Sequence, residues 1–130
     1  MKALSFKQPW GWLVFHGKDI DNRKWRTNYR GRIIVHASKS WDNGGMRWLL
    51  EHKEILHSEV WMSEMMAICA SGKMPYGALI GEVDIVDCVV DSCSPWFFGK
   101  YGFVLSNPVL YEKPIPYKGS LGLFNIRTTP

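Results

Sequence analysis

The densest run of ionisable residues in the chain is His16-Gly17-Lys18-Asp19-Ile20-Asp21-Asn22-Arg23. On extended backbone Asp21, Arg23 and Trp25 share one side, because successive side chains alternate. Asp21 and Arg23 can then pair, while Lys18 reaches in from the preceding turn. A lysine drawn out of water beside a second cation holds its proton weakly, which suits a base or a nucleophile. A fixed arginine fork suits a phosphate or a base edge. The same residues also fit a ligand-free surface ion-pair cluster, since such pairs are frequent and individually weak.

Other candidates are more scattered. Glu82 interrupts an apolar strand, either as a cleft acid or base or as an outward-facing residue. His36 sits in a strand beside Ile34, as a cleft residue or a hydrogen-bonded core histidine. Ser106 and Asn107 precede Pro108, where they can donate to a ligand or simply make a turn. In Ser94-Pro95-Trp96-Phe97-Phe98-Gly99-Lys100-Tyr101 three rings and a lysine can stack on bases, or the loop can fold down to close a core. His52 and His57 fall on different helix faces, and Cys88 and Cys93 lack companions at zinc spacing, so no metal is expected. Phosphate-loop, dinucleotide-binding and serine-hydrolase motifs are absent, and no cofactor is expected.

The elements that must hold these residues follow from pattern. Lys2–Phe6 alternates like a strand, and Pro9 opens a helix over Trp10–His16 that Gly17 closes. Lys18–Arg26 begins as loop and becomes strand, and Arg32–Ala37 is a strand. Trp41 to about Ser71 is helical. Met46, Leu49, Leu50 and Lys53 mark one helix with Asp42 or Asn43 as its cap, and Glu59–Ala70 is a second. Ala78–Val90 is a strand that bends or bulges at Gly81. Tyr101–Leu105, Val109–Tyr111 and Leu121–Ile126 are short strands divided by turn chemistry. Six or so strands with two helices predict an α+β fold, a small mixed β-barrel with flanking helices.

Composition sets the outer limits. The 130 residues fit one domain, 1–130, and 46% of them are hydrophobic, enough for one core. No run of 18 apolar residues exists and Met1–Phe6 leads straight into Lys7-Gln8-Pro9, so neither a membrane helix nor a secretory leader is expected. Three cysteines without framework spacing suit a reducing, cytoplasmic setting. The net charge of +4 is unevenly spread: residues 1–40 carry nine Lys/Arg and two Asp, the rest seven basic and ten acidic residues. Such a split attracts polyanions locally or merely solvates one face.

Three stretches carry a resemblance to a known family. Leu4-Ser5-Phe6-Lys7-Gln8-Pro9-Trp10, Gly17-Lys18-Asp19-Ile20-Asp21-Asn22-Arg23 and Trp25-Arg26-Thr27 resemble the ASCH domain signature. The likeness continues through Gly31–Ser38, Gly81–Ile85, Ser106–Pro108 and Pro114–Gly119. The resemblance implies a PUA-like barrel with a cleft lined by the hallmark glycine, lysine, acid and arginine. Two positions depart from the family pattern: Gly17 and Lys18 are adjacent, and Asp21 stands where glutamate is usual.

The resemblance also implies RNA, single-stranded nucleic acid or a modified nucleoside as partner, taken up in a basic cleft of Lys18, Arg23, Arg26 and Arg32. Trp25 would stack there, with Ser106 at its margin. An alternative implied function is a metal-independent amidohydrolase acting on N4-acylcytidine-type nucleosides, or a ribonuclease. Lys18 would then act as base or nucleophile, Asp21 would orient it, and Glu82 would protonate the leaving amine. A third is a protein-binding domain with a vestigial cleft.

Overall fold

The computed structural model describes residues 1–127. In chain order the elements are β1 (Lys2–Gln8), α1 (Trp10–Val14), β2 (Ile20–Arg23), β3 (Gly31–Trp41) and α2 (Gly45–Glu51). A 3-10 turn (Ser58–Val60) follows, then α3 (Met62–Ala70), β4 (Ala78–Val89), β5 (Tyr101–Pro116) and β6 (Phe124–Asn125). The six strands form one mixed sheet in the order β2-β5-β4-β3-β1-β6. Among the described residues only β1 and β3 run parallel; the other pairings are antiparallel.

The α+β class expected from pattern is present, but the ladder is open: among the described residues no strand pairing joins β2 to β1 or β6. The sheet curls all the same. Register shifts between Leu79 and Gly81, Glu82 and Asp84, and Ile85 and Asp87 bend the long β4/β5 pair. Curling brings Leu4 and Phe6 of β1 into one buried cluster with Phe103 and Leu105 of β5, together with Ile33, Val35 and Ile80. Across the gap between sheet edges, Arg23 Nη2 of β2 donates to Ser5 O of β1 at 2.8 Å. A side chain, rather than a backbone ladder, bridges the seam.

β5 corrects the expectation of two short strands. It runs unbroken for 16 residues, with Asn107 at φ 54° absorbing a bulge in mid-strand. Pro108 is tolerated there because a bulge frees that position from the hydrogen-bond ladder. The strand expected over Leu121–Ile126 contracts to two residues, Phe124 pairing with Ala3 and Asn125 with Lys2. The first two helices are shorter than expected, α1 ending at Val14 and α2 at Glu51. The third region divides into a 3-10 turn and α3, with Trp61 between them buried in the second core.

That second core joins α1, α2, α3 and the aromatic loop through Trp12, Leu13, Leu49, Trp61, Met65 and Trp96. Wholly buried Gln8 anchors α1 beneath it. Its Oε1 accepts the Trp12 N–H at 2.9 Å, satisfying a first-turn donor, and its Nε2 donates to Pro75 O at 2.9 Å.

Candidate functional site

The turn after α1 places Lys18. Gly17 adopts φ 109°, a conformation side chains rarely take, and the chain doubles back so that the Lys18 N–H donates to Leu13 O at 3.0 Å. The lysine is thereby driven inward and is only 3% exposed. Its Nζ donates to Ile20 O, lies 3.9 Å from Asp21 Oδ1, and sits 5.7 Å from the centre of the Trp10 ring. Burial pulls its pKa down to about 8; Asp21 opposes the shift, Arg23 adds to it and Asp19 opposes it.

Strand alternation on β2 brings Asp21 and Arg23 to the same side, where Arg23 Nε donates to Asp21 Oδ2 at 2.5 Å. The guanidinium also lies 5.2 Å from the centre of the Phe6 ring. Asp21 therefore faces two cations and is itself buried.

These residues open onto a cavity of about 590 Å³ set in the seam between β1 and β2. Lys7, Lys18, Arg23 and Lys24 line it against Asp21 and Asp42, so its walls are net basic. Trp10 and Phe98 supply flat apolar surface, their ring centres 6.4 Å apart. Both rings are held from behind. Trp10 Nε1 donates to Asp42 Oδ2 at 2.7 Å, and Trp48 packs against Phe98 with ring centres 4.9 Å apart. Asn22 fixes the aromatic loop: its Oδ1 accepts the N–H groups of Phe98 and Gly99 at 3.0 and 3.1 Å, and its Nδ2 donates to Trp96 O at 2.9 Å. The loop thus does both things its sequence allows, for Trp96 closes the second core while Phe98 lines the cavity, 54% exposed.

Several sequence candidates lie elsewhere. Glu82 accepts from Arg32 Nε at 3.3 Å and from the Tyr111 hydroxyl at 2.7 Å, and neither Glu82 nor Arg32 lines the cavity. Arg32 also pairs with Asp84 Oδ1 at 3.2 Å. Desolvation, reinforced by Glu82, drives the Tyr111 pKa far up. Ser106 is opposite Asp84 in the β4/β5 register and is likewise away from the cavity. Trp25 follows the end of β2 and packs edge-on against Phe103, with ring centres 5.1 Å apart, while Arg26 is exposed beside it. The expected sharing of one strand face by Asp21, Arg23 and Trp25 therefore holds only for the first two, because β2 ends at Arg23.

His36 is buried and fully bonded. Its Nε2 is 2.7 Å from Tyr117 O, an atom that only accepts, so Nε2–H donates there, and Nδ1 lies 2.9 Å from Ser5 Oγ. It lines a second cavity rather than the first. Ser5, Trp10, Asn22 and Asp42 were not picked out as site residues by type or spacing. Each comes from a different segment, and only the folded chain unites them. Among the described residues no three His, Cys, Asp or Glu side chains group as metal ligands.

A curled, mostly antiparallel sheet with a helix-built second core and a cleft between β1 and β2 is a PUA-like α+β arrangement. Residues 4–119 match the ASCH domain, and the chain belongs to that family, a branch of the PUA-like superfamily. It is also similar to activating signal cointegrator 1 of Mus musculus, with 26% identity over 127 residues and 91% of this chain covered. The chain spans only 21% of that protein's length. No helix among the described residues is long and apolar enough to cross a membrane.

Proposed function

We propose that this chain is a single domain over residues 1–130, an incompletely closed PUA-like barrel acting in the cytoplasm, which binds a nucleotide of single-stranded RNA in the seam cavity. The observation that carries the reading is a buried cation, Lys18, lining a cavity walled by Trp10 and Phe98. A volume of about 590 Å³ is in the range of small-ligand sites. One face of a base packs against the two rings, and phosphate oxygens meet Lys18 and the exposed ends of Lys7 and Lys24. Arg23, already bound to Asp21 and Ser5 O, sets the shape of the floor. Arg26 and Trp25 extend the basic, aromatic surface beyond Lys24, whereas Arg32, Glu82 and Ser106 support the sheet.

Titration of cytidine 5′-monophosphate and a short oligocytidylate tests this reading. Both should bind the parent and bind Lys18→Met at least about tenfold more weakly, as expected for a lost charge-assisted contact. Equal binding by the two proteins would sink it.

The lowered pKa of Lys18 beside Asp21 favours a second reading, amide hydrolysis on an N4-acylated cytidine. Neutral Lys18 takes a proton from the attacking water as the C–O bond forms. It returns that proton to the amine nitrogen as the C–N bond breaks. Asp21 holds the transient ammonium and Arg23 faces the developing oxyanion. Release of cytidine from N4-acetylcytidine by the parent but not by Lys18→Met would support this reading; no release by the parent would remove it.

A further inference from the structure

A second cavity of about 720 Å³ adjoins the first. The two share Ser5, Ser38, Ser120 and Leu121, and the second adds Lys39 and Lys118 to its own wall. Each has room for one nucleotide. What borders both is the segment 117–122, which is tied to the sheet at its start. The His36 Nε2–H donates to Tyr117 O at 2.7 Å. Gly119 packs so closely over His36 that a Cβ there would lie 2.5 Å from Cε1. Beyond this anchor, Gly122 turns at φ 63° and Leu121 stands out 96% exposed.

A single exposed leucine is ordinary on a protein surface. This one borders two ligand-sized cavities on a segment held in place by a buried histidine. We infer that the segment 117–122 divides two consecutive nucleotides of a single strand, with Leu121 inserted between their bases. This rests on nucleotide binding in the seam cavity and deepens it, making the ligand a strand rather than a free nucleoside. Neighbouring bases in a single strand stack on each other, so entering separate cavities strips one face of each. An apolar side chain between them covers those faces, as apolar wedges do where proteins unstack base steps. The phosphate of the second nucleotide lies toward Lys39 and Lys118, both exposed.

The test is isothermal titration with cytidine 5′-monophosphate, with the ribodinucleotide 5′-pCpA, and with a pCp-abasic analogue that keeps the second phosphate and sugar. The dinucleotide should bind the parent about tenfold more tightly than the mononucleotide, the order expected for one more stacked base, and the abasic analogue should lose most of that gain. Leu121→Ala should bring the dinucleotide down to the abasic analogue's affinity. Mononucleotide binding should weaken less than dinucleotide binding, since Leu121 also borders the seam cavity, and the melting temperature should not change because the side chain is solvent-exposed. Lys118→Ala should lower binding of the dinucleotide and the abasic analogue alike. Mononucleotide binding with no gain from the second base, or a gain that survives Leu121→Ala, would overturn the wedge while leaving the seam cavity intact. If neither mononucleotide nor dinucleotide binds, both readings fall together.

Discussion

Lys18 is held where its charge is costly. Its folded-state pKa, about 8, lies below the ordinary 10.5, so between those values the unfolded chain binds the proton more tightly than the folded one. The cost of the buried ammonium is thus present at pH 7 and is relieved as pH climbs from about 8 towards 10.5. Lys18→Met should therefore melt close to the parent at pH 7, because it removes a costly buried ammonium while Asp21 keeps Arg23 as its partner. Asp21→Asn should behave oppositely. It leaves Lys18 and Arg23 facing each other without their shared carboxylate and should cost about 2 kcal/mol in urea unfolding, less than a fully buried pair because Arg23 keeps some solvent contact. Unchanged stability in Asp21→Asn would mean that the triad is not electrostatically coupled.

The sheet and the turn after α1 translate sequence into this geometry, and the sequence reveals them unevenly. The alternation at Asp21 and Arg23, the closing Gly17 and the bend at Gly81 can all be read from residue type. Gly81 does more than bend the strand: an added Cβ would lie 2.5 Å from both Val109 O and Phe15 Cζ, so the glycine lets β5 and the residue just past α1 approach together. Gly81→Ala should destabilise the fold by about 2 kcal/mol, since a backbone carbonyl cannot swing aside as a side chain can. A variant as stable as the parent would show that β5 can shift without penalty.

The continuity of β5 was not legible, because Asn107-Pro108 has the chemistry of a turn and only the bulge makes it compatible with a strand. The aromatic wall was legible only in part: the loop of Phe98 has the rings for stacking, but nothing local in it points to Trp10 as the other ring or to Asn22 as its anchor.

Across the chain, the positive excess of the first 40 residues resolves into two populations. Lys18, Arg23 and Arg32 are spent on internal partners, whereas Lys7, Lys24 and Arg26 are exposed to solvent. Net charge could not separate these groups; only burial does. The exposed set should govern long-range attraction, so Lys24→Ala and Arg26→Ala should each make the salt slope of RNA binding shallower by about 0.7, the value for one phosphate contact on a single strand. Arg32→Ala should leave the slope unchanged, and an equal effect from all three would contradict the division.

The binding of oligocytidylate as a function of pH, from 6.5 to 9.5, tests the placement of the ligand against Lys18 most directly, since cytosine does not ionise in that window. Affinity should fall as pH rises through about 8, where Lys18 loses its charge, and the fall should vanish in Lys18→Met. An affinity that stays level across this window in the parent, or that declines equally in the variant, would place the ligand somewhere other than the seam between β1 and β2.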